Sequence, residues 1–293
     1  RSSDLFLNPG LFGESFLRQF SGGQLILSAE QSARLQKAVR PFLLRRTKEA
    51  VASELPPKRE QVIFCELEGE QRASYDELKE YYRQQQQQKE KEGGAQKLEA
   101  LTALLRLRQA ACHPGLLNEQ RSNEISAKQE FLLERLDELA QAGQKALVFS
   151  QFSRFLRLLQ PGLQQLGLRY CYLDGATTNR AELVQQFQED ADIPVFLISL
   201  KAGGVGLNLT AAEYVFILDP WWNPAAEAQA VDRAYRIGQT KPVFAYRLIA
   251  RNTVEEKVMQ LQQNKRQLAE TVLAAAPQQG LALTPQDIAY LLE

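Results

Sequence analysis

The sequence predicts an α/β fold, a parallel sheet flanked by helices, and two observations carry that prediction. From about residue 126 onward, short apolar runs alternate with amphipathic stretches of helical period, the pattern of βαβ units whose sheet is covered on both faces. The 293 residues with 44% hydrophobic composition are also enough to bury the core such a sheet needs.

Residues 1–57 read as an arm rather than a domain. Two punctuations, Asn8-Pro9-Gly10 and Leu55-Pro56-Pro57, surround expected helices at Gly13–Phe20 and Ser28–Val39. Between them, Arg40-Pro41-Phe42-Leu43-Leu44-Arg45-Arg46-Thr47-Lys48 packs four cations around a short apolar core, for which a solvated charged turn is the plain account. A second segment, 58–125, starts with a β-like run, Lys58 to Leu67, and continues as helix from Glu70 to Leu117. The Gln84–Gln88 tract in it is low-complexity and reads as a solvated helix end or mobile loop. His113, the only histidine, precedes Pro114-Gly115, a pair that stops a helix, so a structural turn is expected rather than a ligand or base.

The third segment, 126–250, holds the expected sheet. Its strands are Ala146–Phe149, Arg169–Leu173, Val195–Ser199, Tyr214–Leu218 and Val243–Leu248. The helices between them are Ser126–Ala142, Phe152–Leu166, Arg180–Glu189 and Ala225–Ala234, with a short one at Ala202–Leu207. The last segment, 251–293, carries a helix from Val254 to Leu273 and a short terminal one opened by Thr284-Pro285.

Charge excludes little: 35 basic residues balance 35 acidic ones, so only local clusters can speak for a nucleic-acid partner. Cys65, Cys112 and Cys171 lie far apart, which suggests neither a disulfide framework nor a metal site and fits a reducing compartment. No apolar run is long enough to span a bilayer, and no signal segment opens the chain, so no membrane partner is expected. Beginning on Arg1, the sequence reads as a piece of something longer.

In open parallel sheets ligands gather beyond the carboxyl ends of the strands. The loops there are polar: Ser150-Gln151-Phe152, Asp174-Gly175-Ala176-Thr177-Thr178-Asn179-Arg180, and Ser199 through Leu209 with Lys201 and a run of glycines. Small hydroxyls and glycines at helix N-termini leave N–H groups free for phosphate oxygens, although each loop alone is equally explained by ordinary capping. Three such loops at one edge favour a phosphate-tracking groove. A fourth loop, Asp219-Pro220-Trp221-Trp222-Asn223-Pro224, brackets two tryptophans with prolines, which puts at least one ring at the surface or on a partner. Downstream, Arg233 and Arg236 stand three apart and are expected on one helical face; they satisfy the helix dipole and Asp232, or they stabilise charge on a transferred phosphoryl group.

An ordered series of blocks covering nearly the whole chain resembles the Swi2/Snf2 family of superfamily 2 helicase-like ATPases. RPFLLRRTK (40–48) and LPPK (55–58) resemble the junction between that family's two lobes, and LLRLRQAACHP (104–114) the helix before the second lobe's core. KALVFSQF (145–152) is similar to motif IV and YLDGATTNR (172–180) to motif IVa. ISLKAGGVGLNLTAAEYVFILDPWWNP (198–224) is similar to motif V with its extension, and QAVDRAYRIGQTKPV (229–243) to motif VI.

The resemblance implies a RecA-like C-terminal lobe of the P-loop NTPase/helicase type, with a helical insertion and an N-terminal junction arm. It implies that Arg233 and Arg236 reach the ATP phosphates across an interlobe cleft, with Gln229, Asp232, Gly204 and Gly206 on the nucleotide side. Ser150, Gln151, Gly175, Thr177, Arg180, Ser199, Lys201 and Trp222 fall where family members face the DNA backbone or support that surface. The implied cofactors are ATP and Mg²⁺, bound mainly by a first lobe in cis. The implied partners are double-stranded DNA and a possible nucleoprotein. Tyr235, where many relatives have histidine, and Ser199-Leu200-Lys201, where many have a Ser-Thr-Arg type run, depart from the pattern. No recognition domain is visible, which favours a bacterial-type member at the nucleoid in the cytoplasm; a eukaryotic source implies the nucleus.

No GxxxxGK[ST] phosphate loop and no DExH-type carboxylates occur in the chain, so the fragment alone is expected to be inactive. Two other readings stay open, a non-catalytic interaction module anchored by the tryptophans and a lobe of a strand-separating helicase.

Overall fold

The strands of the computed structural model form one sheet of six, all neighbours parallel, in the order β1-β6-β5-β2-β4-β3. They are β1 (Lys58–Cys65), β2 (Ala146–Ser150), β3 (Tyr170–Leu173), β4 (Val195–Ser199), β5 (Tyr214–Ile217) and β6 (Val243–Ala250). The helices are α1 (Gly69–Glu92), α2 (Lys97–Cys112), α3 (Ala127–Gln141), α4 (Ser153–Gln165), α5 (Arg180–Glu189), α6 (Pro224–Val231) and α7 (Val254–Val272). The structure describes residues 55–92, 97–202, 206–221, 224–272 and 291. All of these except 267–272 belong to one compact unit, which is the one treated below. The expected helices at 13–20, 28–39 and after 284 lie outside the described residues, save Leu291.

The central strands are buried throughout because both faces are covered. Every residue of β2 and β4 is buried. On one face Leu147, Phe149, Phe196, Ile198, Val215 and Ile217 pack with Ala230, Val231 and Phe187 from α6 and α5. On the other, Val148, Val195, Leu197 and Phe216 pack with Leu132 and Leu136 of α3 and with Phe155, Leu156 and Leu159 of α4. A third cluster joins Tyr75 of α1, Leu104 and Leu107 of α2, and Val254 and Val258 of α7 beside Ala250 at the end of β6.

Three expectations are corrected. The β-like run after Leu55 is the sixth strand: β1 pairs in register with β6, from Lys58 opposite Val243 to Cys65 opposite Ala250. Its polar composition reflects an edge position, where half the strand faces water and the Arg251 guanidinium covers the exposed Phe64 ring at 4.9 Å. The glutamine tract is a solvated helix end, one of its two expected readings: it lies in the last turns of α1, mostly exposed, tied back by Gln84 to Glu80 at 3.0 Å and by Gln85 to the Tyr81 hydroxyl at 2.7 Å, one turn earlier. Helix α6 stops at Val231 instead of Ala234, and the expected short helix at 202–207 does not reach its end: Ala202 is in a 3-10 turn, while residues 206–207 are not helical.

Helix ends follow local chemistry. Ser126 caps α3, its Oγ accepting the Gln129 N–H at 3.3 Å. Gly143 and Gly167, at φ of 67° and 70°, close α3 and α4, and the next N–H in each case returns to a carbonyl of the last turn. His113 is the turn residue expected: fully buried, it takes the Gly115 N–H on Nδ1 at 2.9 Å, and Nε2 donates to Gln129 Oε1 at 3.0 Å.

Candidate functional site

Because the sheet is parallel, the loops after β2, β3, β4 and β5 all emerge at one edge. Asp219, after β5, organises that edge. Its fully buried carboxylate accepts Ser150 Oγ–H at 2.5 Å and the Gln151 N–H at 3.2 and 3.3 Å, and Ser150 Oγ in turn accepts the Phe152 N–H at 3.0 Å. The Leu200 N–H donates to the Ser150 carbonyl at 2.9 Å, so hydrogen bonds tie the loops after β2, β4 and β5 to one another.

The loop after β3 is built on Asp174. Its carboxylate accepts from Arg157 Nη2 and the Tyr172 hydroxyl, each at 2.9 Å, and from the Ala176 N–H at 2.9 Å. Burial works to raise its pKa, but these donors together hold it below the usual carboxylate value. Thr177 Oγ1 closes the turn by accepting the Asp174 N–H at 3.0 Å, and Gly175 stands exposed at its tip. Arg180 bridges to the next loop, donating to the Thr177 carbonyl at 3.1 Å and to the Ala202 carbonyl at 3.5 Å. An open groove of about 810 Å³, lined in part by Arg157, Asp174, Thr177 and Asn179, runs along the free edge of β3.

The segment after α6 holds the arginines. With α6 ended at Val231, residues 232–238 form turns, and the two guanidinium groups do not share a helical face. Gln239 sets this path: its buried side chain donates to the carbonyls of Thr210, Ala212 and Ala234 at 3.1, 2.9 and 3.2 Å and accepts the N–H groups of Thr240 and Lys241. Gly238 adopts φ 102°, a conformation L side chains rarely take. Arg236 is exposed, whereas Arg233 is only 7% exposed. The Arg233 carbonyl accepts the Leu209 N–H at 3.0 Å, and its guanidinium carbon lies 6.0 Å from the centre of the Phe149 ring. Among the described residues, Arg233 Nε and Nη1 have no hydrogen-bond partner, and burial pushes the group below the ordinary arginine pKa.

Of the other residues singled out in the sequence, Gln229, Lys201 and Gly206 are exposed and Asp232 is half-buried. Gln151 is half-buried, with its Nε2 buried and unpartnered among the described residues. Ser150 and Ser199 are buried, so their side chains brace the edge rather than line its surface. Gly204 and Trp222 lie outside the described residues. Sequence reasoning gave no role to Asp219, Glu227, Arg108 or Gln239. The available signal was an ionisable or amide group set among apolar residues, as in ILD (217–219) and AAEAQA (225–230).

A model described as the helicase conserved C-terminal domain matches residues 127–238, and one described as the SNF2-related domain matches residues 5–116. The chain belongs to the Swi2/Snf2 family. It is 36% identical to an uncharacterized ATP-dependent helicase of Mycoplasma genitalium, over 98% of this chain and 28% of the relative. The chain thus spans little more than a quarter of that relative's length. The Swi2/Snf2 ATPase C-terminal domain of Sulfolobus solfataricus superposes with a TM-score of 0.63 at 27% identity, covering 80% of this chain and 98% of that one. The Swi2/Snf2 ATPase core of the same organism, solved with double-stranded DNA, gives 0.64 at 31% identity, covering 98% of this chain and 62% of that one. The fold is therefore that family's C-terminal RecA-like lobe. No helix among the described residues is long and apolar enough to cross a membrane.

Proposed function

We propose that this chain is the second motor lobe of an ATP-dependent double-stranded DNA translocase or remodeller, a hydrolase whose first lobe, in cis, holds ATP and Mg²⁺. The observation that carries this reading is Arg233: a buried guanidinium with two N–H-bearing nitrogens unpartnered among the described residues, at the edge where the strands end. Such a cation is costly to bury unless an anion comes to it. A phosphate chain fits that need, and ATP would supply the group whose transfer to water drives the motor.

In this reading Arg233 and the exposed Arg236 donate to phosphoryl oxygens as charge develops on them, and Gln229, Asp232, Gly204 and Gly206 complete the nucleotide side. Gln151, Gly175, Thr177, Arg180, Lys201 and Trp222 meet the DNA backbone; Ser150 and Ser199 hold the loops that do so. The solved relative bound to duplex DNA supports this side of the assignment. The domain limits we propose are a junction arm at 1–57, a start of the lobe at 58–125, a core at 126–250 and C-terminal helices at 251–293. Contact with backbone rather than bases suits a motor that displaces nucleoprotein, in bacterial cytoplasm or in a nucleus.

Phosphate release tests the reading. The isolated chain is expected to hydrolyse no ATP with or without duplex DNA, while a protein containing both lobes does so and is stimulated by the duplex. Motor-like hydrolysis by the chain alone would overturn the two-lobed assignment.

A further inference from the structure

The loop that leads to Trp222 is gripped from four sides by buried side chains. Lys128 of α3 donates to the Leu218 carbonyl at 2.6 Å, and Arg108 of α2 donates to the Pro220 carbonyl. Gln262 of α7 donates to the Trp221 carbonyl. The Trp221 N–H donates to Glu227 Oε1 at 2.7 Å.

Glu227 differs from the other three in where it sits. It is 1% exposed, on the first half of α6, and the same helix runs directly into the segment that carries Arg233 and Arg236. Its second oxygen accepts Arg247 Nε at 2.9 Å, and Arg247 reaches Glu60 of β1 at 2.8 Å; Gln262 Nε2 also donates to Oε1 at 2.8 Å. One carboxylate therefore ties the 219–221 loop, α6, β6 and α7 together. Stabilising the positive N-terminal end of α6 needs no more than an exposed acid, whereas this one is buried and spends Oε1 on a loop backbone N–H.

We infer that Glu227 is a positioning residue that couples the loop at 219–221, which leads to the proposed DNA contact Trp222, to the arginine segment at 233–236. A displacement of the loop by the duplex moves Trp221, and through Glu227 it moves α6 and the backbone that aims Arg233. The inference rests on the two-sided function proposed above, and deepens it by naming the connection between the sides.

The test uses the two-lobed protein and reads the DNA-free rate of ATP hydrolysis, the DNA-stimulated rate, and the duplex concentration for half-maximal stimulation. Glu227→Ala is expected to reduce DNA stimulation about tenfold or more while the DNA-free rate changes by less than about twofold. Glu227→Gln, which keeps an acceptor for the Trp221 N–H, restores most of the stimulation. Gln262→Met removes two donors to the same junction from the peripheral helix α7 and is expected to lower stimulation about threefold; it decides the matter if Glu227→Ala does not fold. Unchanged stimulation in folded Glu227→Ala, an equal fall in both rates, or unchanged stimulation in Gln262→Met when the alanine variant is unfolded overturns the inference. Absence of DNA stimulation in the unaltered protein would instead overturn the function on which it rests.

Discussion

Arg233 lays its guanidinium against Phe149, 6.0 Å from carbon to ring centre, and so the penultimate residue of β2 supports a cation delivered from beyond α6. Phe149 fixes the direction of the group without satisfying its N–H donors. That combination suits a residue kept for a ligand rather than for stability.

It follows that removing the cation does not weaken the fold. Arg233→Met is expected to leave the urea midpoint of the chain unchanged or to raise stability by about 0–2 kcal/mol, because an uncompensated buried charge disappears. A loss of more than about 2 kcal/mol would mean that Arg233 is a structural cation after all.

Lys128 and Glu255 behave in the opposite way. Both are fully buried, with Lys128 Nζ 2.6 Å from the carboxylate and also bound to the Leu218 and Leu248 carbonyls. Burial pushes the Glu255 carboxyl above its ordinary pKa, so its ionised form depends on the ammonium beside it. Lys128→Met alone is expected to cost about 3–5 kcal/mol, and the Lys128→Met/Glu255→Leu pair distinctly less than the sum of its parts. A double-mutant cycle in urea measures this; additive losses would contradict it.

Stability is also expected to depend on pH through His113. Burial lowers its pKa in the folded chain below the ordinary 6.5, and a proton on Nδ1 would face the Gly115 N–H. The unfolded chain therefore binds the proton more readily. The contribution is full above about pH 6.5 and is lost as pH falls from there toward the lowered folded value. Urea midpoints measured between about pH 8 and pH 5 should fall in the unaltered chain and fall less in His113→Gln. Equal slopes would show that another group is responsible.

Duplex binding should be electrostatic and indifferent to sequence. Lys201→Ala is expected to weaken binding of the two-lobed protein to unrelated duplexes by similar factors and to reduce the salt slope by about 1. A change confined to one sequence would argue for base reading instead.

Much of this was legible in residue order. The buried runs of β2 and β4, the parallel sheet and the loops at its edge follow from apolar periodicity, and Arg180–Glu189 and Val195–Ser199 fall as expected. The failures have physical causes. β1 is polar because it is an edge strand, and its pairing with β6, across 185 residues from Lys58 to Val243, cannot be read from local pattern. The end of α6 was misplaced because AVDRAYR retains helical composition, while the chain is drawn out of the helix by Gln239 and by Gly238 at φ 102°. Periodicity showed Arg233 and Arg236 as equals; burial separates them into one enclosed and one exposed cation. The clamp formed by Asp219 and Glu227 was hidden because its partners, Ser150, Trp221, Arg247 and Gln262, meet only after folding.

The most direct test of the two-lobed account is DNA-stimulated phosphate release by the complete protein carrying Arg233→Ala or Arg236→Ala, read beside duplex affinity. The account predicts that each variant loses about a hundredfold or more in hydrolysis while its duplex affinity stays within about threefold. Hydrolysis at the unaltered rate, or loss of duplex binding with hydrolysis retained, would contradict it.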